Sequence, residues 1–316
     1  MIFISESDVQ RVLTAEKAIA ALETVFSSDL GRIVRMPTRS HHDLAPDLVL
    51  LTMPCCSSQL GRCGVKLVTV SRNGVSATHI DAVYLLYGRE TSAIDAMIEA
   101  SYLTDLRTAA VSAMATRCLA PLEVRVLGLF GTGRQARVHG AVLPIVRRFE
   151  RILVCGSSQE KSRAFARTLS AETGIETKAA EAEECVRDSD VIATCTNSLQ
   201  PLFDGQWLRP GTHLNLVGGY RPNMREVDDL TVVRSRVVVD TREGSMAEAG
   251  ELIIPLKSGA ITPDHIISDL HGLMVGDVRV RESPHDITLF KSVGCAVEDL
   301  AMANLVYEEL KLQAIT

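Results

Sequence analysis

A glycine-rich turn near the middle of the chain limits the possible folds more than any other feature of the sequence. The turn, Gly131-Thr132-Gly133-Arg134-Gln135-Ala136, follows the predicted strand Val124–Gly128 and leads into a segment with helical spacing, Gln135–Phe149. In such a strand–turn–helix unit the first glycine permits a tight turn, the second admits a pyrophosphate to the backbone, and Ala136 lets helix and strand pack closely. The helix N-terminus also presents free N–H groups to the phosphates. The motif therefore predicts a dinucleotide-binding site.

Strands and helices alternate on the C-terminal side of this turn. The predicted strands are Ile152–Cys155, Asp190–Thr194, Leu214–Val217 and Val237–Val239. The predicted helices include Lys161–Glu172 and Glu181–Val186. Such alternation is typical of right-handed βαβ units with a parallel sheet. Residues 119–293 are therefore predicted to form a Rossmann-type α/β domain with a doubly wound parallel sheet.

The N-terminal part of the chain shows a different pattern. Three apolar runs without intervening helices favour a mostly antiparallel sheet. They are Leu48–Met53, Gly64–Val70 and Ala82–Leu86. Thr14 is placed to cap an earlier helix, and Ile94–Leu119, which contains no Pro or Gly, is predicted to form one or two helices. A last helix, Gly294–Leu312, is expected to return to this part, which makes residues 1–118 with 294–316 a discontinuous α+β domain.

Composition excludes several classes of function. The formal net charge of −6 gives no basic surface for nucleic acid. The N-terminus lacks a signal-peptide pattern, and no stretch approaches the roughly 18 apolar residues of a membrane span, so no membrane partner is expected. The eight cysteines are scattered without paired motifs, which indicates a reducing, cytoplasmic compartment. A cluster of His41, His42, Cys55, Cys56 and Cys63 matches no structural zinc spacing, so no metal site is predicted.

The segment after the second strand of the dinucleotide domain bears on the choice of cofactor. An acidic residue there would bind the ribose 2′-hydroxyl of NAD. The sequence instead has Gly156-Ser157-Ser158-Gln159, followed by the cations Lys161 and Arg163, with Glu160 expected in the first turn of the next helix. The absent carboxylate and the nearby cations favour a 2′-phosphate. We therefore expect NADP(H) as the preferred cofactor and NAD(H) as the alternative.

Three cations in the N-terminal half are candidates for substrate binding. Lys66 stands in the apolar run Gly64–Val68, where a lysine must either reach solvent or serve a function. A desolvated lysine has a lowered pKa that suits proton transfer. Arg107 stands in an alanine-rich segment, and Arg39 follows Pro37-Thr38. For Arg39 alone, a surface role fits the sequence equally well.

Six stretches of the sequence together carry a resemblance to a known family. The stretches are Arg35–Arg39, Gly64–Val68, Leu103–Ser112, Gly131–Ala136, Val217–Pro222 and Leu289–Gly294. They resemble the ornithine cyclodeaminase/μ-crystallin family, in the family's order and over nearly the whole chain. The blocks Leu-Arg-Thr-Ala-Ala and Phe-Lys-Ser-Val-Gly within them are the most specific. The resemblance implies a homodimer in which the discontinuous N-terminal domain binds substrate and makes the dimer contact, while the Rossmann domain carries NAD(P).

The resemblance also implies roles for individual residues. Arg39 and Arg107 would bind the substrate carboxylate, which suits the bidentate geometry of a guanidinium group. Lys66 would contact the substrate and assist proton transfer. The implied cofactor-binding residues are His79, Thr108, Gly131, Thr132, Gly133, Arg134, Gln135, Ser157, Ser158, Lys161, Cys195, Thr196, Val217 and Ser292.

One position departs from the family pattern in a way that bears on the reaction. In the cyclodeaminases an aspartate follows the Gly-Gly of the Val217–Pro222 stretch, where it binds the side-chain amine of the substrate and acts as acid and base. Here that position is Tyr220. A tyrosine offers no permanent carboxylate to an ammonium group. Tyr220 is therefore expected to contact a substrate that has no distal amine.

These expectations favour the NAD(P)H-dependent reduction of a cyclic ketimine acid. The expected conversion is Δ1-pyrroline-2-carboxylate to L-proline, with the six-membered homologue, Δ1-piperideine-2-carboxylate to L-pipecolate, as a second reaction. Other interpretations stay open: an ornithine cyclodeaminase, an alanine-dehydrogenase-like or N-alkyl amino acid dehydrogenase, and a non-catalytic μ-crystallin-like binding protein. The combination of Lys66, Arg39 and Arg107 favours an enzyme.

Overall fold

The chain divides into two compact units. A computed structural model describes residues 1–73 and 77–313, with the backbone alone for residues 72, 73 and 77–80. One unit comprises residues 1–107 and 294–316, and the other comprises residues 108–293. The boundary lies inside helix α4 (Ser101–Leu119), so the sequence-based boundary after residue 118 falls further along the same helix. Among the described helices, none has the length and apolar character needed to cross a membrane.

The N-terminal unit is built on a mixed sheet whose long strands alternate between buried and half-exposed side chains. The strand order is β1-β7-β6-β5-β4-β2, with β3 also paired to β4. The central strands β4, β5 and β6 pair in antiparallel fashion, as predicted. Strand β7 adds to β6 in antiparallel fashion, and β1 pairs with β7 in parallel. The elements are β1 (Ile2–Ile4), α1 (Glu6–Val12), α2 (Ala15–Phe26), α3 (Leu30–Ile33), β2 (Val34–Arg35), β3 (Ser40–Ala45), β4 (Leu48–Ser57), β5 (Arg62–Asn73), β6 (Ala77–Gly88), β7 (Ile94–Glu99), the first part of α4, and α12 (Ala296–Gln313).

One prediction for this unit is wrong, and two are confirmed. Ile94–Glu99 forms strand β7 rather than the start of a helix. The segment pairs with β6, and its side chains point alternately to the two faces of the sheet. Thr14 caps α2 by accepting a hydrogen bond from the backbone N–H of Lys17. The last helix, α12, packs against β4, β5 and β6 and so covers one face of the sheet.

The second unit is the predicted doubly wound α/β domain. Its described strands are all paired in parallel, in the order β10-β9-β8-β11-β12-β15-β13-β14. The elements after α4 are β8 (Val126–Phe130), α5 (Arg134–Val146), β9 (Arg151–Cys155), α6 (Gln159–Thr173), β10 (Glu176–Ala179), α7 (Ala182–Asp188), β11 (Val191–Thr194), β12 (His213–Leu216), α8 (Asp229–Val233), β13 (Ser235–Val239), α9 (Arg242–Glu248), α10 (Gly250–Ser258), β14 (Ile266–Asp269), α11 (Leu270–Val275) and β15 (Ile287–Lys291). Most of these strands are buried on both faces, as expected for parallel strands covered by helices.

The strand order reverses between β8 and β11. From β8 the chain proceeds through β9 to β10 on one side of the sheet, and from β11 through β12 on the other. In sheets of this kind ligands bind outside the carboxyl ends of the strands at such a reversal. The loops that follow β8, β9, β11 and β12 are therefore the ones that can border a bound dinucleotide.

The candidate cysteine–histidine cluster of the N-terminal unit does not assemble. His41 and His42 lie on the exposed strand β3. Cys56 and Cys63 face each other across β4 and β5 and form a disulfide, whereas Cys55 is a buried free thiol. The sequence spacing did not predict this disulfide, because the pairing arises only from the register of the two strands.

Candidate active site

The glycine turn of the second unit leaves its backbone open to a ligand. Gly131 has φ +116°, a conformation that L side chains rarely adopt, and a Cβ atom there would lie 2.7 Å from the backbone oxygen of Cys195. A Cβ at Gly133 would meet no atom within 4 Å, so the backbone is approachable from outside. Gly133 is also the N-cap of α5 and supplies no side-chain hydrogen bond. The first N–H groups of α5 are thus left for an anion, and these residues fit a dinucleotide.

The loop after β9 contains no carboxylate in the position expected for NAD binding. Ser157 and Ser158 are exposed, and the Ser158 hydroxyl caps α6 by accepting a hydrogen bond from the backbone N–H of Lys161 at 3.3 Å. Glu160 lies in the first turn of α6, as the sequence predicted, and the side chain of Lys161 is exposed. The surroundings of a ribose 2′ position at this loop would accordingly contain hydroxyls and a cation.

The other predicted cofactor residues of this unit lie near the carboxyl ends of further strands. Cys195 and Thr196 directly follow β11, and Val217 directly follows β12. Ser292 follows β15, is buried, and lies 3.3 Å from a carboxylate oxygen of Asp240. The fold therefore brings the ends of these strands to one edge of the sheet, while their contacts with a cofactor stay predictions.

A buried glutamate that the sequence analysis did not identify joins two of these loops. Glu226 is fully buried and accepts four hydrogen bonds of 2.6–2.8 Å. One carboxylate oxygen accepts from the backbone N–H and the hydroxyl of Thr196, and the other accepts from the hydroxyl of Thr194 and the backbone N–H of Gly218. Burial, together with the nearby Glu251, raises the pKa of Glu226. Glu226 thus connects the loops that follow β11 and β12.

A second buried carboxylate, Glu251, lies beneath the same loop after β12. A Cβ at Gly219 would lie 2.4 Å from one carboxylate oxygen of Glu251, so a larger residue there would displace this carboxylate. That oxygen also accepts a hydrogen bond from the backbone N–H of Glu226 at 3.1 Å. The other oxygen lies 3.4 Å from Nζ of Lys291, and both side chains are fully buried. Glu226, Glu251 and Lys291 are named here the carboxylate–lysine triad.

In the N-terminal unit, Lys66 is buried instead of reaching solvent. It lies on β5 opposite Tyr84 of β6, on the face covered by α12. Its Nζ donates a hydrogen bond to a carboxylate oxygen of Asp299 at 2.6 Å, and both residues are at most 1% exposed. Burial and the neighbouring positive charge of Arg107 lower the pKa of Lys66 to about 8, although Asp299 opposes the shift. At neutral pH this amine can therefore both hold and release a proton.

Arg107 belongs to the same buried cluster. Its Nε donates to the Asp299 oxygen that Lys66 also contacts, at 3.1 Å, and one terminal nitrogen donates to Glu298 at 2.6 Å. Burial disfavours the charged form, but the carboxylates of Asp299 and Glu298 prevail and raise the pKa of Arg107 above its ordinary value. Gly294 has φ +83°, and a Cβ there would lie 2.4 Å from a guanidinium nitrogen of Arg107. The glycine at the end of the Phe-Lys-Ser-Val-Gly block thus supplies a left-handed backbone and leaves space for this arginine.

Two polar atoms beside Lys66 have no hydrogen-bond partner among the described residues. They are the Tyr84 hydroxyl and the second carboxylate oxygen of Asp299. A Cβ at Gly64 would lie 2.4 Å from the Tyr84 hydroxyl, so this glycine leaves room for the phenol. The cluster thus offers unsatisfied polar groups next to a lysine that can exchange a proton.

The nearby thiol of Cys55 is not a candidate nucleophile. Burial, and then the charge of Asp299, raises the pKa of Cys55 to about 12, which makes this thiol a poor nucleophile.

The remaining predicted site residues lie in several places. Arg39 is half-buried in the loop between β2 and β3, and Thr108 is buried in α4. Tyr220 is half-buried in the loop after β12, with the Arg221 guanidinium 5.7 Å from its ring centre. His79 belongs to β6, but its side chain lies outside the described part of the chain. Their contacts with a ligand stay predictions.

Glu298 and Asp299 are the site residues that sequence reasoning missed in the N-terminal unit. Two adjacent acids interrupt the apolar stretch Ala296–Ala303 of the last predicted helix. Acids in the apolar part of a helix are almost never fully buried without a partner. That interruption was the signal, but the identity of the partners, 191–233 residues away in the sequence, was not readable from it.

Comparison with known proteins gives similarities that extend over nearly the whole chain. The sequence profile of the ornithine cyclodeaminase/mu-crystallin family matches residues 1–313. A Δ1-pyrroline-2-carboxylate reductase of Bacillus cereus is 31% identical over 314 residues, covering 98% of this chain and 96% of that protein. The chain is also similar in structure to the Thermococcus litoralis Δ1-pyrroline-2-carboxylate reductase in complex with NADH and L-proline, with a TM-score of 0.95, 33% identity, and 99% and 98% of the two chains covered.

A third comparison extends the similarity to another activity. An archaeal alanine dehydrogenase dimer with bound NAD has a TM-score of 0.91 and 26% identity to this chain, with 99% and 96% of the two chains covered. The similarity extends over both units in each of these comparisons. The chain therefore belongs to the ornithine cyclodeaminase/mu-crystallin family.

Proposed function

We propose that this protein is an oxidoreductase that reduces Δ1-pyrroline-2-carboxylate to L-proline with a nicotinamide dinucleotide. The observation that carries the proposal is the buried Lys66, which is paired with Asp299 next to Arg107 in a chain similar throughout to a reductase solved with NADH and L-proline. The approachable glycine turn before α5 supports dinucleotide binding. The six-membered ketimine acid, Δ1-piperideine-2-carboxylate, is the proposed second substrate.

The side chains can supply what the reduction of a C=N bond requires. The nicotinamide, when bound, supplies the hydride. Lys66, with its lowered pKa, can deliver the proton that the imine nitrogen needs. Arg107 and Arg39 would hold the substrate carboxylate, with Arg107 oriented by Glu298 and Asp299. Holding the carboxylate fixes which carbon is presented to the hydride donor.

Tyr220 distinguishes this reaction from ornithine cyclisation. The proposal is that ornithine fails because its distal ammonium finds no carboxylate at position 220, and an unpaired cation in a closed site loses hydration without compensation. The wild type is expected to oxidise NAD(P)H with Δ1-pyrroline-2-carboxylate and to release no ammonia from ornithine with catalytic NAD⁺. Tyr220→Asp should weaken the reductase, and Tyr220→Phe serves as the control that keeps the ring.

Assays of NAD(P)H consumption and of ammonia release also separate the other candidate activities. Consumption of NAD(P)H with pyruvate and ammonia, but not with the cyclic ketimine, would instead indicate an alanine-dehydrogenase-like enzyme, which the archaeal structure makes the second candidate. Robust ammonia release from ornithine would refute the reductase proposal. No turnover with any substrate and cofactor pair would leave a binding protein.

We further propose that NADPH is preferred over NADH. The support is the loop after β9, where Ser157 is exposed, Ser158 caps α6 and Lys161 presents an exposed ammonium group. None of these groups repels a 2′-phosphate. NADH remains the alternative cofactor.

Ser157→Asp tests this preference. A carboxylate at position 157 should repel the 2′-phosphate and lower kcat/KM for NADPH on the order of tenfold, with little loss for NADH. The neutral variant Ser157→Asn, similar in size, should keep the wild-type preference. The measurement is kcat/KM with each cofactor at a saturating imine concentration. Equal values for NADPH and NADH in the wild type would contradict the proposal.

A homodimer is proposed as well. One face of the N-terminal sheet carries half-exposed apolar side chains in neighbouring strands, which α12 does not cover because it packs on the opposite face. They include Val65, Leu67, Val83 and Leu85. An apolar sheet face of this kind suits a second copy of the chain. A monomeric mass in sedimentation equilibrium would contradict the dimer.

A further inference from the structure

The carboxylate–lysine triad lies near the carboxyl ends of β11, β12 and β15 in the second unit. If the pyrophosphate binds at the turn after β8 and the adenosine at the loop after β9, the rest of a dinucleotide extends towards β11 and β12. Glu226 receives hydrogen bonds from the loops after both of these strands, and Glu251 touches Gly219 of the second loop. The triad therefore underlies the loops that would border the nicotinamide.

The triad has more acidic side chains than basic ones. It contains two carboxyl groups and one amine, all three side chains are fully buried, and the amine of Lys291 lies beside Glu251. Four donors surround Glu226, two of them backbone N–H groups that can only donate; these hydrogen bonds stabilise the ionised carboxylate and oppose the rise in its pKa that burial and Glu251 cause. Lys291 can balance one of the two carboxylates. A net negative charge in a buried place acts over a longer range than it would in water.

We infer that the carboxylate–lysine triad makes the second unit bind the oxidised, cationic nicotinamide more tightly relative to the reduced, neutral one. The inference rests on the proposed function, because it requires that this unit binds a nicotinamide dinucleotide. In imine reduction the carbon of the C=N bond gains a hydride, the nitrogen gains a proton, and the cofactor leaves oxidised. A negative charge that stabilises the oxidised ring therefore favours the donation of hydride.

The position of the charge explains a feature of the Val217–Pro222 stretch. An added Cβ at Gly219 would lie 2.4 Å from a carboxylate oxygen of Glu251. An added Cβ at Gly218 would collide first with the backbone oxygen of Thr196 and would also lie 2.5 Å from a carboxylate oxygen of Glu226. Gly218 thus permits the loops after β11 and β12 to approach each other, and both glycines leave space for a carboxylate. Their conformation needs no positive φ, so the requirement is one of space.

Glu251→Gln tests the inference with the loop hydrogen bonds of Glu226 in place. The amide keeps an oxygen for the Glu226 N–H and removes one negative charge. The dissociation constants of NADP⁺, NADPH, NAD⁺ and NADH are measured by calorimetric or fluorescence titration without substrate. For each cofactor pair, the ratio of the oxidised to the reduced dissociation constant should rise on the order of tenfold, as expected for a unit charge acting through protein.

Asp190→Asn is the matched control. Asp190 precedes β11, at the amino ends of the parallel strands, and accepts hydrogen bonds from the backbone N–H groups of Arg125 and Val126. The substitution removes one negative charge from the same unit, but at the opposite edge of the sheet. The ratio of the two dissociation constants should stay at the wild-type value in this variant.

The outcomes separate the inference from the proposed function. Normal binding with an unchanged ratio in Glu251→Gln would overturn the inference alone. Failure of the wild type to bind either form would overturn the proposed function and the inference with it. If Glu251→Gln does not fold, Glu226→Gln removes the same charge, and equal weakening of the oxidised and reduced forms would then show a loop-positioning role without the charge effect and refute the inference.

Discussion

Lys66→Met is expected to lower kcat/KM for imine reduction by about a hundred- to ten-thousandfold, the usual contribution of a positioned proton donor. Methionine preserves most of the volume of the buried side chain, and Asp299 keeps its hydrogen bond from Arg107. Cofactor dissociation constants, measured by titration, should stay close to those of the wild type. Unchanged turnover in Lys66→Met would show that Lys66 only packs the sheet against α12.

The pH dependence provides a second test of the same residue, with a sign that depends on the direction of reaction. Reduction requires the protonated amine, so the activity should fall as the pH rises through about 8, the lowered pKa of Lys66. Oxidation of proline requires the neutral amine and should rise through the same pH. Because arginine stays protonated in proteins, Lys66→Arg should remove this transition from the profile of whatever activity remains. A transition near pH 8 that persists in Lys66→Arg would assign it to another group.

Arg107→Ala is expected to lower kcat/KM for the ketimine acid by about 30- to 5,000-fold, which corresponds to the roughly 2–5 kcal/mol lost when a buried charge pair is broken. The loss should fall on the substrate, with cofactor affinity nearly intact. Arg107→Lys should lie between wild type and Arg107→Ala, because an ammonium group cannot reproduce bidentate binding. The measurements are kcat and KM for the ketimine acid and the dissociation constant of NADPH.

The structure makes a control necessary for this prediction. Arg107 forms ion pairs with Glu298 and Asp299, both fully buried, so its removal takes a positive charge away from both carboxylates and lowers the free energy of unfolding. Arg39→Ala, in a half-buried loop, should reduce kcat/KM with a smaller effect on urea unfolding. If Arg107→Ala and Arg39→Ala leave the KM for the ketimine acid unchanged while turnover continues, the substrate carboxylate binds elsewhere.

The dinucleotide turn shows what a local sequence can predict. The strand β8, the left-handed glycine at position 131 and the start of α5 at Arg134 are neighbours in the chain, so their conformations depend on residues within a few positions. The alternation of strands and helices after α5 predicted the parallel sheet, because each strand and each helix is also recognised from residues that are neighbours in the chain. The alternating side chains of β4, β5 and β6 likewise predicted an antiparallel sheet.

The local pattern gave a wrong prediction where the same residues suit both a helix and a strand. Ile94–Glu99 contains no Pro or Gly and includes alanine and methionine, which favour helices, so the segment was predicted to be helical. Its alternating isoleucine, alanine and isoleucine also fit a strand, and pairing with β6 and β1 settles the choice. Tertiary contact outweighs intrinsic propensity in this segment.

The sequence by itself determined the two kinds of sheet, the dinucleotide turn and the identity of the cations Lys66 and Arg107 as candidates. Only the tertiary structure decided that Asp299 joins these two cations, and that Glu226 and Glu251 approach the loop after β12. The physical reason is that a buried charge must find a partner, but the partner need only be close in space. Here the partners of Asp299 lie 192 and 233 residues away along the chain, a distance at which no local pattern carries information.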